Sequence, residues 1–374
     1  MKFSDILGKE DAKRQLVALV DNDRLPHAQL FIGKEGSGGL ALAIAMANYL
    51  LCVNRAIGDS CGTCAQCTKT SKYVHPDVHF AFPVVSVAGK TRGETTSDDF
   101  LPKWRSLLLE TPYFSMTHWL DHNKSTTGQP NINVKECNNI LLKLNMMAYE
   151  SHYKILILWL PEYLGNEANR LLKLIEEPTD NTFIILVTEN SEAILQTILS
   201  RCQLVKVPGF THQQITDYLV NEVDVTTENA FQLANLADGN IELAKQLSQS
   251  ENLGYSRLLI EWMRACYIGD PVEINSWMTA ITEKSKNQQV NFFEYGLHFY
   301  RQFISMYYTN IDSVYLTPQE VITAQKMKAT INPSKAEKII SILSEGIEVV
   351  PRNINIKIWL FAASIELTCI LRNN

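Results

Sequence analysis

The 374-residue sequence predicts an α/β domain on a parallel sheet, followed by an all-helical remainder. Three observations predict it. Five short apolar runs, most without polar alternation, read as strands buried on both faces. Segments of helical period lie between them, and strands alternating with helices imply a three-layer parallel arrangement. After Pro208 no run reads as a convincing strand.

The opening stretch "MKFSDILGKEDAKRQL" is charged throughout and holds no apolar signal-peptide core. The first strand is "QLFIG" (29–33), and a helix over residues 40–51 follows a Gly-rich loop. The second strand is "VHFAFPVV" (78–85). The polar, Gly- and Thr-rich "SVAGKTRGETTSDDF" (86–100) reads as a flexible loop. An aromatic-rich insertion, "LPKWRSLLLETPYFSMTHWLDHNKSTTGQP", follows and breaks the strand–helix rhythm. Its rings could stack on nucleic-acid bases; the preferred reading is that they seal a small local core. "NVKECNNILLKLNMMAY" spaces its apolar residues for a helix, and "KILILW" (154–159) is the third strand. "GNEANRLLKLIEEP" is a helix stopped by Pro178, because the residue before a proline is pushed out of the α region. "TFIILVT" (182–188) and "QLVKVP" (203–208) complete the strands. Short helices come next, broken at Gly239-Asn240, and long amphipathic helices run from about residue 256.

Composition narrows the function classes. Net charge is −6, so any contact with nucleic acid needs a local patch or partner chains. The longest apolar runs, "LALAIAMANYLLC" and "IWLFAASIELTCIL", fall short of the ~20 residues that span a bilayer. They read as buried helices. A cytosolic protein is expected, with its eight cysteines reduced.

Four of those cysteines cluster. Cys61, Cys64 and Cys67 are spaced CxxCxxC, and Cys52 completes a set of four. The surrounding segment is too polar to be core. Four thiolates suit a closed tetrahedral zinc site, and they also suit an iron–sulfur cluster. Zinc is preferred, because nothing else points to electron transfer. His75 and His79 flank the region, and "HPD" (75–77) reads as the turn into the second strand. Cys137, Cys202, Cys266 and Cys369 read as packing residues.

"LFIGKEGSGGLALA" has the strand–loop–helix context of a phosphate-binding loop. Gly33 and Gly38 hold the correct spacing, with Gly36 between them. Gly39 stands where the phosphate-neutralising lysine belongs, and Leu40 where the magnesium-binding hydroxyl belongs. The helix N-terminus keeps N–H groups that could bind an anion weakly. The strand "KILILW" should end in a carboxylate, but Trp159 and Leu160 stand there; Glu162 comes two residues late. Both losses argue against ATP hydrolysis.

"RLPHAQLFIGKEGSGG", the cysteine insert followed by "HPD", "NEANRLLKLIEEP" and "TILSRCQ" together resemble the bacterial DNA polymerase III clamp-loader subunits of the AAA+ class. The resemblance is clear over about residues 1–250 and is nearest to the type with a degenerate nucleotide site. It implies a P-loop NTPase-like five-stranded core over 1–208, with a zinc insert (52–67) and an extra insertion (86–130). It also implies a helical lid over 209–255 and an all-α collar over 256–374 that joins subunits in a ring. Ser200-Arg201-Cys202 would place Arg201 in a neighbouring subunit's ATP site as an arginine finger. In "GNIELA", Glu242 stands where motor subunits carry a nucleotide-sensing arginine. Implied partners are the gamma/tau motor and delta subunits and, through them, the sliding clamp and primed DNA. Two alternatives stay open: a gamma/tau-like motor ATPase, and a zinc-bearing module that binds single-stranded DNA through the aromatic insertion.

Overall fold

The computed structural model describes residues 1–86, 93–124, 129–249, 254–308, 316, 318–352 and 354–372. Two compact units emerge. One is Met1–Ile215 with Asp238–Leu243; the other is Thr216–Ala237 with Ala244–Asn374.

The first unit is built on five parallel strands: β1 (Ala28–Ile32), β2 (Val78–Ala81), β3 (Lys154–Trp159), β4 (Thr182–Thr188) and β5 (Gln203–Lys206). They lie in the order β2-β3-β4-β1-β5. Every residue of β3 is buried, as a strand covered by helices on both faces must be. Two strands are shorter than the apolar runs suggest. Pro83 has no N–H for the ladder, so β2 stops at Ala81 and Val84 makes an isolated bridge to Asn131. Lys206 ends β5; Val207 N–H still reaches Ile32 O at 2.8 Å before Pro208 removes the next donor.

The helices of this unit are α1 (Glu10–Asp21), α2 (Gly39–Leu51), α3 (Ala65–Ser71), α4 (Leu101–Glu110), α5 (Met116–His122), α6 (Val134–Asn145), α7 (Leu172–Glu176) and α8 (Gln196–Leu199). All thirteen residues of α2 are buried, which explains its lack of a polar face. The C-terminal carbonyls of α6 are met by a buried cation: Lys154 Nζ donates to Leu144 O and Met146 O, both at 2.6 Å. The continuous helix expected over 165–177 is interrupted. Residues Pro161–Leu171 form a tight 3-10 stretch in which Gly165 takes a non-helical φ of 53° and ψ of −130°, and only α7 is α-helical.

The insertion differs from its expected form in two ways. Residues 87–92 and 125–128 lie outside the described residues. Of the expected loop over 86–100, Ser97–Phe100 forms a 3-10 turn tied to α6, with Ser97 N–H and Oγ donating to the Glu136 carboxylate at 2.6 and 2.5 Å. The aromatic rings do not seal a small local core. Phe100, Trp104, Phe114 and Trp119 belong to the main core, on one face of the sheet with Phe82 and Trp159. Trp104 stacks on Phe82 with centroids 4.0 Å apart, and Trp119 donates its Nε1 proton to Pro83 O at 3.0 Å. Rings packed this way are closed to nucleic-acid bases.

From residue 209 onward the described regular elements are helices: α9 (His212–Glu222), α10 (Thr227–Ala237), α11 (Ile241–Gln249), α12 (Tyr255–Ile268), α13 (Pro271–Thr282), α14 (Lys286–Tyr308), α15 (Pro318–Met327), α16 (Pro333–Val349) and α17 (Ile356–Arg372). In the second unit Trp262 and Trp277 stack at 4.5 Å, and Trp262 Nε1 donates to Ser364 Oγ on α17 at 2.9 Å. Gly346 lets the Phe293 ring lie against the α16 backbone. Among the described residues no helix is long and apolar enough to cross a membrane.

Candidate functional site

The Gly-rich loop joins the end of β1 to α2. A loop at the C-terminal end of a central parallel strand, beside the point where the strand order reverses, is where such sheets bind ligands. Its backbone turns as a phosphate loop requires: Gly36 and Gly38 have φ of 68° and 89°, a region costly for any residue with a Cβ. Gly39 is the first residue of α2.

The space above the loop is occupied from within. Leu40 and Trp159, at the hydroxyl and acidic positions, are buried. Tyr113, from the connection between α4 and α5, lies over Gly38; a Cβ there would come within 3.1 Å of its ring. Phe114 packs edge-on against Trp159 and Trp104, each with centroids 5.1 Å away. What remains is a cavity of about 20 Å³ lined by Gly33, Gly38, Tyr113, Phe114, Trp159 and Glu189. A single water needs roughly 10–15 Å³, so little enclosed space remains directly above the loop. The ring over Gly38 also covers the helix N-terminus that could have held an anion.

Acidic groups line the same end of the sheet. Glu162 is turned toward the end of β4, accepting from Thr188 Oγ1 at 2.9 Å and Glu189 N–H at 3.1 Å. Burial, and then the carboxylates of Glu35 and Glu162, push Glu189 up to about 8. Glu242 is buried and pairs with His118 Nδ1 at 2.9 Å. Its carboxylate is thus engaged with the insertion, a partner that sequence spacing could not reveal.

Ser200-Arg201-Cys202 lies at the other end of the sheet. Gln203 pairs in register with Gln29 and Lys206 with Ile32, so Arg201 precedes the strand start while the Gly-rich loop follows the strand end. At about 3.3 Å per residue, roughly 10 Å of strand separates the two, and Arg201 is no part of this chain's own loop. Cys202 is buried; Arg201 is partly exposed, its Nε pairing with the Glu176 carboxylate and its Nη1 donating to Thr197 O at 2.8 Å and Ser200 Oγ at 3.3 Å. Sequence reasoning missed Glu176. The "IEE" preceding Pro178 was its only trace.

The four cysteines converge. The Sγ atoms of Cys52, Cys61, Cys64 and Cys67 all lie within 4.8 Å of one another, with Cys61 and Cys67 3.9 Å apart. Tetrahedral zinc with Zn–S of 2.3 Å sets sulfurs about 3.8 Å apart, so the set fits one ion and is too tight for a cluster of irons. Cys61, Cys64 and Cys67 donate N–H to the sulfurs of Cys52, Cys61 and Cys64 at 3.3, 3.3 and 3.4 Å. N–H groups of Thr63 and Cys64 hold the Cys61 thiol down to about 6, in the range where a ligand thiolate forms readily. Neither flanking histidine is a ligand: His75 bonds the Gln66 side chain and accepts from Asp77 N–H at 3.1 Å, closing the "HPD" turn, and His79 sits on β2. The insert is fastened to the domain through buried Asn48, which donates to Ser60 Oγ at 2.9 Å and accepts from Thr70 Oγ1 at 2.5 Å.

Sheet order, Gly-rich loop and helical remainder define an AAA+ protein of P-loop architecture whose loop lacks the lysine and hydroxyl. Within that class the chain belongs to the family described as DNA polymerase III, delta subunit, whose sequence model matches residues 8–211. It is 29% identical over 239 residues to the DNA polymerase III subunit delta' of Bacillus subtilis, covering 64% of this chain and 58% of that protein. It is 26% identical to the delta' subunit of Escherichia coli, over 64% of this chain and 59% of that one. A DNA polymerase III subunit gamma/tau of Mycoplasma pneumoniae is also 26% identical, over 69% of this chain and 32% of that one. The matches thus span less than two thirds of the length of these relatives.

Proposed function

We propose that this chain is a non-hydrolysing, delta-prime-type subunit of the DNA polymerase III clamp loader. One observation carries the reading: in a member of this family, the phosphate loop is covered by the chain's own aromatic rings and lacks the residues that grip phosphates. Such a chain serves as a stator. It assembles with gamma/tau and delta subunits and acts with them on the sliding clamp and primed DNA. ATP is not turned over at Gly33, Gly36, Gly38 and Gly39.

Its contribution to chemistry is made in trans. Arg201, at the sheet end opposite its own loop, reaches a neighbour's ATP and stabilises charge on the γ-phosphate, as an arginine finger does. Ser200 and Cys202 frame it, one as a hydroxyl partner and one as a buried anchor. Cys52, Cys61, Cys64 and Cys67 hold one structural zinc, which has no open position for substrate. In this reading residues 1–208 form the AAA+ core, 209–255 the lid and 256–374 the collar.

The test is reconstitution with the matching gamma/tau and delta subunits. Wild-type chain should raise clamp- and DNA-dependent ATP hydrolysis, and Arg201→Ala should remove roughly one site's share of that turnover while leaving assembly intact. Unchanged turnover with Arg201→Ala refutes the finger. The gamma/tau relative keeps a motor-ATPase reading in view; hydrolysis of Mg-ATP by the isolated chain, above a buffer control, would favour it.

A further inference from the structure

The connection Pro112–Phe114 and the start of α5 touch more than the loop. Tyr113, whose ring covers Gly38, also meets Phe210 edge-on with centroids 5.7 Å apart. Two residues into α5, His118 pairs with Glu242. Phe210 and Glu242 belong to the stretch that leaves β5 and returns at 238–243, within the first unit.

That returning stretch sits directly on the loop. The Asn240 side chain lies against Gly36, and its Nδ2 donates to Glu35 Oε1 at 3.2 Å while its Oδ1 accepts from Leu243 N–H at 3.0 Å. Gly209 and Gly239 approach so closely that a Cβ on either would fall 3.2–3.3 Å from the other's Cα, and Phe210 N–H bonds Gly239 O at 3.0 Å. Lys9 adds a cation over the Phe210 ring at 3.9 Å and donates to Pro208 O. The insertion is therefore packed between the phosphate cradle and the residues that close over it.

We propose that residues 112–118 act as a resident intramolecular plug, filling the cradle where a nucleotide's phosphates would lie and holding residues 208–215 and 238–243 against the loop in the nucleotide's place. The rings supply what a ligand would: contact with the glycines below and with Phe210 beside. Because the plug is covalently part of the chain, its effective concentration is fixed, and a nucleotide must outcompete it to enter the cradle. The plugged state of the first unit then dominates at ordinary nucleotide levels. This inference goes beyond the assembly reading and is independent of it: the chain could fail to stimulate any partner and still be plugged.

The experiment uses the full isolated chain. Binding of Mg-ATP and Mg-ADP is followed by calorimetry, and amide hydrogen exchange is followed across 208–215 and 238–243. Wild type should show no saturable binding at millimolar nucleotide and slow exchange in both segments. Tyr113→Ala should speed exchange at 238–243 on the order of tenfold by freeing the local opening, while Tyr113→Phe, which keeps the ring, should not. His118→Ala should produce a smaller acceleration confined to 238–243. Should Tyr113→Ala fail to fold, His118→Ala against Tyr113→Phe decides the question. Saturable, stoichiometric nucleotide binding by wild type overturns the proposal. So does unchanged exchange in Tyr113→Ala, or in His118→Ala where that variant decides.

Discussion

At the scale of single residues, Glu189 is a carboxylate that lines the space beside the Gly-rich loop. Its carboxylate is half-buried beside Glu35 and Glu162, and its folded-state value of about 8 stands above the ordinary value of 4.5. Folding therefore takes up a proton between those limits. A raised carboxylate contributes stability below the unfolded value and loses it as pH climbs toward the folded one. Glu189→Gln should be more stable than wild type at pH 8, by about 1 kcal/mol given solvent screening at a half-buried group. The difference should shrink toward zero near pH 5. Thermal denaturation of both proteins between pH 5 and 9 measures it; parallel curves would refute the assignment. Gly39, Leu40 and Trp159 are a different kind of residue-scale fact. Their identity alone announces the missing lysine, hydroxyl and carboxylate. That Trp159 and Leu40 are buried against the insertion's rings required coordinates.

At the scale of elements, the cysteine insert links local spacing to domain stability. Its sulfurs converge because α2 ends at Leu51, just before Cys52, and α3 begins just after Cys64, whose Sγ accepts from Cys67 N–H at the start of that helix. The Asn48–Ser60–Thr70 network then ties the insert to α2. Metal analysis should find about one zinc per chain. Cys64→Ser should abolish it and lower the melting temperature on the order of 5 °C. Full zinc occupancy in Cys64→Ser, or melting unaffected by its loss, would remove the structural role. The strands were legible because continuous apolar runs have few alternatives in a parallel sheet. The helix expected over 165–177 was not: its apolar spacing is helical, and only the φ of Gly165 reveals the break. For the aromatic insertion, composition predicts buried rings but not what they pack against, and the partner is the main core rather than a local one.

At the scale of the whole molecule, α17 carries apolar residues on both faces. Leu360, Ala363, Leu367 and Leu371 point into the second unit, whereas Ile358, Phe361 and Ile365 are about half exposed or more. An exposed apolar stripe at helical spacing is costly in an isolated protein and suits a helix that pairs with another subunit. Phe361→Glu should leave the unfolding free energy of the isolated chain within about 0.5 kcal/mol of wild type. It should also weaken co-elution with gamma/tau and delta on size exclusion. Normal assembly by Phe361→Glu would place the proposed assembly interface elsewhere.

The sequence by itself determined the strand–helix alternation, the clustered cysteines and the emptied phosphate grip. Each is a matter of residue type at short spacing, where backbone geometry leaves few choices. Tertiary structure decided what fills the emptied loop, where Glu242 and Arg201 find their partners, and which face of the last helix is open. Those depend on residues dozens to more than a hundred positions apart in the chain. His118 meets Glu242 and Tyr113 meets Gly38 because the insertion between β2 and β3 reaches past β4 to the loop that follows β1, and no local pattern encodes that reach.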